Sequence, residues 1–539
     1  MSFSGSIFLN PLFRGLFDKS PVSLYFFTQL LTADLLTPNT SAVSSNVLLD
    51  RRYFTAASLK SLLLLMLYII PLGFIFFKLV NYNAAIFAGA GLSRPSGFVD
   101  WKGLLKPLAD SINLDVNKEH DLLSVAQYYR NQKGTRTSIN QAIMNAFSKD
   151  VTINENVRIV TRLPIFTYWT TNYDEIVENG IKAADRNPDV KSESEQLSVI
   201  KPDRDAIVYK MHGDVNNPAK AVLTKEDYDL YENHRPLFRT ALQGDLVSKV
   251  FLFIGFSFED PNIDYILSQI RSLLGENIST HYCFFKRVQE SDYTDLKEYG
   301  YNKAKQDLQE ENLRNYGIQT VFVNEYDEIT EILRDLEKNY KMKKVFISGS
   351  ADAFSDPWSK EKAEELAGKL AGTLVHNDCR ITSGFGLGIG SAVINGALDV
   401  IYTEKYRHID EHLCIRPFPQ NISNPTERAE KWKKYREEML AETGVSIFMF
   451  GNRKDATTGS IIEANGCMQE FEIAKSKGNI IIPIGSTGYA AKTILENVKK
   501  DMANYHYLSK YIDILETETD IDKLIQCVIE IIQSNLIKE

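Results

Sequence analysis

Two short polar stretches in this sequence each follow an apolar run that is typical of a buried strand. They are Thr171-Asn172-Tyr173-Asp174 and Met211-His212-Gly213. Asn172 offers a donor and an acceptor, and Asp174 accepts hydrogen bonds from hydroxyl groups, so the pair suits a ribose. His212 has an ordinary pKa of about 6.5 and can take up a proton near neutral pH. The alternatives are structural: a helix cap for Asn172 or Asp174, and a buried core position for His212.

A glycine turn, Gly89-Ala90-Gly91-Leu92-Ser93, precedes both stretches and ends another apolar run. Glycines at such a point let the backbone approach a pyrophosphate, with amide groups and the next helix facing the anion. The third glycine of the usual dinucleotide fingerprint is missing, so a tight turn without a ligand is the alternative. A later strand end, Gly255-Phe256-Ser257, is either a further part of the site or a plain turn. The predicted dinucleotide-binding residues are Ala88, Gly89, Gly91, Ser93, Asp174, Gly255 and Ser257.

Strand and helix patterns alternate from about residue 81 to residue 340. We predict strands at 85–88, 165–170, 206–210, 250–255, 282–286 and 320–323, and helices from about 101, at 122–131 and at 139–147. Apolar residues three and four positions apart indicate the helices. Such alternation predicts a parallel sheet with both faces covered, and ligands bind at the carboxyl ends of its strands.

The same alternation starts again near residue 345. We predict strands at 345–347, 445–450 and 480–484, helices at 359–374 and 520–534, and a glycine-rich turn at 381–390. The predicted fold class is therefore α/β, with two Rossmann-like parallel-sheet domains at 81–340 and 341–539. A hydrophobic extension at 1–80 precedes them.

Length and composition restrict the number of domains and exclude some classes of function. A chain of 539 residues is too long for one core, so two or three domains are expected. The net charge of −9 argues against a surface that binds nucleic acid. The five cysteines are scattered and form no C-x-x-C pair, which excludes a four-cysteine zinc site and indicates reduced thiols in a cytoplasmic protein.

The N-terminal extension contains an uncharged apolar run at 61–77, just long enough to cross a bilayer with the apolar residues beyond Lys78. The run predicts a membrane anchor or membrane contact through residues 61–80. A buried helix in an oligomer interface is the alternative. The flanking basic residues fit a single span poorly, because they would place the larger part of the chain outside the cell.

The glycine turn, Thr171-Asn172-x-Asp174 and His212-Gly213 together resemble the dinucleotide and catalytic motifs of the sirtuin family, over about residues 84–330. Sirtuin deacylases carry a zinc ribbon with two C-x-x-C pairs, whereas this segment contains only Cys283. Gly255-Phe256-Ser257-Phe258 and Asp260-Pro261-Asn262 instead resemble the bacterial defence branch, whose members hydrolyse NAD. The resemblance implies NAD as substrate, Asn172 and His212 as catalytic residues, and no metal.

The second domain resembles the SLOG family of nucleotide-sensing domains in Phe346-Ile347-Ser348-Gly349-Ser350, in the glycine run after Thr382-Ser383 and in Pro483-Ile484-Gly485. A sirtuin-like domain followed by SLOG is the architecture of the Thoeris anti-phage effectors. In that family SLOG binds a cyclic ADP-ribose isomer made by a TIR-domain partner, and binding switches on NAD hydrolysis. The matching pocket positions are Gly349, Ser350, Leu387, Phe418, Arg436, Arg453, Gly466 and Glu470.

Charge chemistry is consistent with a ligand role for these positions. The guanidinium groups of Arg436 and Arg453 pair with phosphate, and Glu470 accepts from ribose hydroxyls. The alternative for Arg436 is a surface salt bridge, because Lys433-Lys434-Tyr435-Arg436-Glu437-Glu438 is typical of a solvated helix. The resemblance also implies a homo-oligomer, a tetramer or higher.

The expected reaction is hydrolysis of the bond between nicotinamide and ribose. The leaving group is already cationic, so the protein must position the ribose and stabilise an oxocarbenium-like transition state. Asn172 would orient the ribose or the water, His212 would act as base, and Asp174 would hold the ribose. Three alternatives stay open: a protein deacylase, a nucleotide sensor without catalysis, and a membrane-bound signalling scaffold.

Overall fold

The computed structural model describes residues 83–536, apart from residues 120, 259, 276–278, 404–407 and 456. The N-terminal extension at 1–80 lies outside the described residues, so the membrane anchor at 61–77 stays a prediction. Among the helices between residues 83 and 536, none combines the length and the apolar character needed to cross a membrane.

Seven parallel strands form the first sheet of the described chain, in the order β3-β4-β2-β1-β5-β6-β7. The six predicted strands are confirmed with small shifts at their ends. The sequence patterns missed β3, because its proline and charged residues are unusual in a strand; β3 lies at the sheet edge, where proline is tolerated. The bounds are β1 Ala84–Ala88, β2 Thr167–Thr170, β3 Pro188–Lys191, β4 Ala206–Lys210, β5 Val250–Ile254, β6 His281–Lys286 and β7 Ile318–Val323.

Helices connect these strands, and the three predicted from sequence are confirmed. Asp100, Asp121 and Asn154 each accept a hydrogen bond from a backbone amide in the first turn of the helix that follows, which satisfies a group left unpaired there. The helices are α1 Ala90–Ser93, α2 Trp101–Asp110, α3 Leu122–Lys133, α4 Thr137–Phe147, α5 Glu155–Arg162, α6 Ile176–Ala183, α7 Lys225–Asp229, α8 Tyr231–His234, α9 Pro236–Ser248, α10 Pro261–Leu274, α11 Leu296–Asn315 and α12 Asp327–Met342.

The sheet has an apolar core on each face. Ile86 and Ala88 of β1 belong to one core, and Ala85 and Phe87 belong to the other. Every residue of β1 is buried, because successive side chains point to opposite faces and both faces are covered. This explains why the strand appears in the sequence as a continuous apolar run.

Five parallel strands form the second sheet, in the order β10-β9-β8-β11-β14, beside a small β12–β13 hairpin. The three predicted strands and the two predicted helices are confirmed. The predicted turn at 381–390 begins instead as a short strand, β9, before its glycines. The strands are β8 Lys344–Ser350, β9 Arg380–Ser383, β10 Leu413–Ile415, β11 Val445–Phe450, β12 Asn452–Lys454, β13 Ile461–Glu463 and β14 Ile480–Ile484; the helices are α13 Lys360–His376, α14 Gly390–Thr403, α15 Ile409–His412, α16 Pro425–Ala441, α17 Asn465–Ser476, α18 Tyr489–Lys500, α19 Ile512–Thr517 and α20 Ile521–Asn535.

Helix α12 leads from the first sheet to the second. Leu336 packs in a core of the first sheet, and Met342 packs in the core of the second. Glu337, between them, accepts hydrogen bonds from the Arg162 guanidinium of α5 at 2.7 and 2.8 Å. The predicted domain limits at 81–340 and 341–539 stay predictions.

Strand register brings the polar turns to one edge of the first sheet. Thr170 pairs with Ala88 on one side and with Lys210 on the other, and Ala88 also pairs with Ile254. The carboxyl ends of β4, β2, β1 and β5 are therefore level. Because parallel strands end together at this edge, the segments that follow each of them are neighbours in space.

His281, at the start of β6, is a buried histidine with a structural role. Its Nδ1 accepts a hydrogen bond from the Phe251 amide at 3.2 Å, which requires an unprotonated nitrogen. Burial lowers the pKa of His281 to about 4. The folded state therefore favours the neutral ring. This contribution to stability is complete above pH ~6.5 and is lost as the pH falls towards the lowered pKa.

We predict that the His281→Asn variant is less sensitive to mild acid than the wild type. The asparagine side chain would keep an acceptor for the Phe251 amide and would not titrate. Between pH 7 and pH 5 the wild type should lose about 2 kcal/mol more unfolding free energy than the variant. Urea unfolding at both pH values measures the difference, and equal losses would contradict the prediction.

Candidate active site

Asn172 lies in the turn after β2 and ties that turn to the glycine turn after β1. Its Nδ2 donates to the Gly89 carbonyl oxygen and to the Ser93 hydroxyl, both at 3.0 Å. Its backbone amide donates to the Thr170 hydroxyl at 2.9 Å. Both donor positions of the side-chain amide are thus used, which leaves the Oδ1 atom of the half-buried side chain to accept from a ligand or a water.

Asp174, two residues further on, presents a buried carboxylate to the same turn. One oxygen, Oδ1, accepts from the Ile176 amide at 3.1 Å, whereas Oδ2 is buried and has no hydrogen-bond partner among the described residues. Burial raises the pKa of Asp174, and the Ile176 amide, Lys210 and Ser93 oppose that effect. An unpaired buried acceptor is costly, so a hydroxyl donor here would be favourable.

The glycines of the first turn serve a close backbone contact. The Gly89 amide donates to the Ile254 carbonyl, and the Gly91 amide donates to the Gly255 carbonyl, both at 2.9 Å. A Cβ atom on Gly89 would lie 2.3 Å from the Gly255 oxygen. These two amides therefore hold the ends of β1 and β5 together, which corrects the expectation that they are exposed to an anion. The pyrophosphate-binding role of the turn stays a prediction.

Ser257 and Gly255 occupy the turn after β5 in different ways. Gly255 has a φ of +66°, and a Cβ there would lie 2.2 Å from the Leu92 amide nitrogen, so only glycine fits. Ser257 is exposed, between Phe256 and Phe258, whose rings pack against Phe253. The structure thus places Gly255 within the glycine contact and leaves Ser257 at the surface beside it.

His212, in the turn after β4, is surrounded by polar groups although it is only 1% exposed. The Asp260 carboxylate lies 3.2 Å from Nε2, and the Tyr228 hydroxyl lies 3.5 Å from Nδ1. The Nε2–Asp260 contact has ion-pair distance without the alignment of a hydrogen bond. Burial lowers the pKa of His212, and Asp260 offsets part of the change. The ring is therefore neutral near pH 7, as a general base must be.

Lys210 is a residue of this site that the sequence did not single out. It ends β4 with 0% exposure, and its ammonium group donates to the carbonyls of Tyr173 and Asp174 at 3.1 and 2.7 Å. The same group lies 2.9 Å from a Glu178 oxygen and 2.5 Å from an Asp214 oxygen. Although burial opposes it, these carboxylates raise the pKa of Lys210. A lysine at the end of an otherwise apolar strand was the available sequence signal.

A second polar cluster lies beside the second sheet, around Arg436 of α16. The Arg436 guanidinium donates to Glu470 at 3.2 Å and to Gln469 at 3.0 Å, and lies 4.6 Å from the centre of the Phe418 ring. Ser348 of β8 donates to the other Glu470 oxygen at 2.6 Å. Arg436 is 7% exposed, so the alternative of a solvated surface salt bridge is wrong.

The other predicted effector positions lie around this cluster or along the adjoining strand ends. A Cβ on Gly466 would lie 2.9 Å from an Arg436 nitrogen. Ser350 donates to the Asn452 carbonyl at 2.9 Å, beside Arg453 on β12. Gly349 precedes Ser350 at the end of β8, and the carbonyl of exposed Leu387 accepts from the next amide, that of Ala351. The structure thus groups these positions, and their effector role stays a prediction.

Comparison with known proteins agrees with this arrangement. Residues 167–320 match the family described as SIR2-like domain, and residues 328–535 match the Sir2- and TIR-associating SLOG family. The NAD(+) hydrolase ThsA of Cytobacillus dafuensis is 45% identical over 432 residues, which cover 79% of this chain and 87% of the relative. The NAD(+) hydrolase ThsA of Bacillus cereus is 44% identical over 463 residues, covering 85% and 96%. The chain belongs to the ThsA family.

Membership of the ThsA family confirms the resemblance that the motifs indicated and the order of the two domains. Defense-associated sirtuin 2 of Bacillus subtilis is a more distant relative, 26% identical over 219 residues, or 39% of this chain and 21% of that protein. Within the described residues, no group of three or more His, Cys, Asp or Glu side chains is arranged to hold a metal ion.

We predict that Gly255→Ala destabilises the first domain more than Gly134→Ala. Both glycines have a left-handed backbone, with φ of +66° and +71°, so both variants carry a similar strain of about 1 kcal/mol. Only Gly255 also faces a backbone clash, whereas the space beside Gly134 is open. The difference in unfolding free energy, measured in urea, should exceed ~2 kcal/mol. Equal losses would contradict the close-contact role of Gly255.

Proposed function

We propose that this protein hydrolyses NAD to nicotinamide and ADP-ribose, as an effector of anti-phage defence. Its membership of the ThsA family supports this function, because the relatives are named NAD(+) hydrolases. The observation that carries the proposal is the grouping of an amide, a neutral imidazole and an unpaired buried carboxylate oxygen on neighbouring strand ends, those of Asn172, His212 and Asp174.

The side chains suit the steps of such a reaction. The unpaired Asp174 oxygen would accept from a ribose hydroxyl, and the free Asn172 Oδ1 would orient the ribose or the attacking water. His212 would take the proton from that hydroxyl or water. Since nicotinamide leaves as a neutral molecule from a cationic precursor, it needs no general acid. Because the His212 ring is only 1% exposed, a neighbouring side chain must move before substrate reaches it.

The second polar cluster would bind the activator, a cyclic ADP-ribose isomer made by a TIR-domain protein. The match to the Sir2- and TIR-associating SLOG family supports this assignment. Arg436 is held by Glu470 and Gln469, so an incoming phosphate would compete with Glu470 for the guanidinium. Such an exchange would give the two arrangements with different activator affinity that allosteric control requires. We expect the change to pass between subunits of a homo-oligomer, a tetramer or higher, in the cytoplasm.

We predict that Asn172→Ala and His212→Ala each lower nicotinamide release from NAD by roughly 100-fold or more, because each removes a group that meets the reacting ribose. Release is followed by chromatography with and without cyclic ADP-ribose isomers. Circular dichroism and thermal unfolding check that both variants fold. Turnover like that of the wild type in either variant would refute its role. Release that depends on an acetyl-lysine peptide would indicate the deacylase alternative.

We predict that Arg436→Lys raises the activator concentration for half-maximal activity by roughly tenfold or more. The lysine keeps the positive charge beside Glu470 but loses the planar, two-pronged contact with phosphate. Lys434→Ala, on the exposed side of the same helix, is the matched control and should be activated like the wild type. An unchanged activation curve for Arg436→Lys would place the effector site elsewhere.

A further inference from the structure

The Asp260 carboxylate lies beside the His212 ring, where its charge can influence the protonation of the imidazole. One of its oxygens, Oδ2, is 3.2 Å from His212 Nε2 and accepts from the Tyr228 hydroxyl, also at 3.2 Å. The carboxylate is 9% exposed and the imidazole 1% exposed. Because water does not screen such a pair, the charge of Asp260 acts strongly on the ring.

Helix α10 fixes this carboxylate in place. The other oxygen, Oδ1, accepts from the amides of Asn262 and Ile263 at 2.9 and 3.4 Å, so Asp260 is the N-cap of the helix. One oxygen therefore anchors the side chain to the backbone, while the second faces the imidazole. A carboxylate held in this way does not need to reorganise when the ring gains a proton.

We infer that Asp260 is a positioning residue that stabilises the imidazolium formed on His212 in the reaction. The inference rests on the proposed function and adds a residue to its site. The Asp260 carboxylate lies at ion-pair distance from the ring, so its charge acts on the imidazolium whichever nitrogen receives the proton. Tyr228 donates to the same carboxylate, and its hydroxyl oxygen lies 3.5 Å from Nδ1, which is too far for a strong hydrogen bond to the ring.

The proton balance follows from this arrangement. The O–H bond of the ribose hydroxyl or water breaks, its electron pair stays on oxygen, and the proton forms a bond to the unprotonated ring nitrogen of His212 through that nitrogen's lone pair. His212 then carries a positive charge between Nδ1–H and Nε2–H, and the Asp260 carboxylate neutralises it. Burial and the positive charge of Arg235 both disfavour that charge, which is why a fixed anion beside the ring is needed.

The test is Asp260→Asn, because asparagine caps a helix as well as aspartate and removes only the charge. We expect kcat for nicotinamide release from NAD to fall roughly tenfold or more, with KM nearly unchanged. The acidic limb of the kcat/KM profile should move to lower pH by roughly one unit, because the carboxylate no longer supports the imidazolium. A merely structural role would not move that limb.

Two further variants complete the experiment. Asp264→Asn makes the same charge change at an exposed position in the first turn of α10 and should behave like the wild type. Asp260→Glu restores the charge and should recover part of kcat and the position of the acidic limb. All variants are assayed with the full chain and saturating cyclic ADP-ribose isomers.

The outcomes separate this inference from the proposed function. Unchanged kcat and pH profile in Asp260→Asn, with an inactive His212→Ala, would overturn the inference alone. Faster turnover in Asp260→Asn would also overturn it, because the carboxylate would then block the ring. Full activity in His212→Ala would overturn both proposals.

Discussion

One buried ammonium group holds together the edge of the first sheet that carries the candidate active site. The Lys210 nitrogen contacts two carbonyls in the turn after β2 and a carboxylate in the turn after β4, so it connects the segments that carry Asn172 and His212. Burying a charge costs free energy, and the surrounding carboxylates and carbonyls offset that cost only in this geometry. Burial raises the pKa of Glu178, one of these carboxylates, and Lys210 opposes that effect. The same electrostatic contact that stabilises the turns therefore ties together the two segments that carry the proposed catalytic groups.

The edge of the sheet is also shaped by backbone contacts that exclude side chains. Gly89 and Gly91 lie against Gly255, and their amides bond to the end of β5. Glycine at these positions is required by packing, whatever ligand the turn receives. Asn172 then fastens the next turn to the Gly89 carbonyl and to Ser93. Among the groups described above, Asn172 Oδ1 and Asp174 Oδ2 remain free to accept from a ligand. Their positions are fixed by the surrounding contacts, as expected of a preorganised site.

The second domain also places polar residues at the ends of parallel strands, but there two buried side chains of opposite charge pair with each other. Arg436 and Glu470 are both buried and satisfy each other, with Ser348 and Gln469 completing the set. Burial raises the pKa of Glu470, which Ser348 and Arg436 oppose. An anion that takes the arginine leaves the buried glutamate unpaired, which is costly, so the exchange forces the cluster to rearrange. Such a pair suits a domain whose proposed task is to respond to a nucleotide.

Sequence alone determined the α/β class, most strands, and the candidate positions Asn172 and His212. Strands of a sheet that is covered on both faces appear as continuous apolar runs, and polar residues mark the ends of those runs. It also indicated the family, through motifs that keep their order. It missed the edge strand β3, the buried Lys210 contacts and the Asp260 contact, and it left open whether Arg436 is buried or exposed. Residues 210 and 174, 212 and 260, and 436 and 470 are far apart in the chain. Their contacts exist only because strand register and helix packing bring them together, and that long-range placement is what the tertiary structure decided.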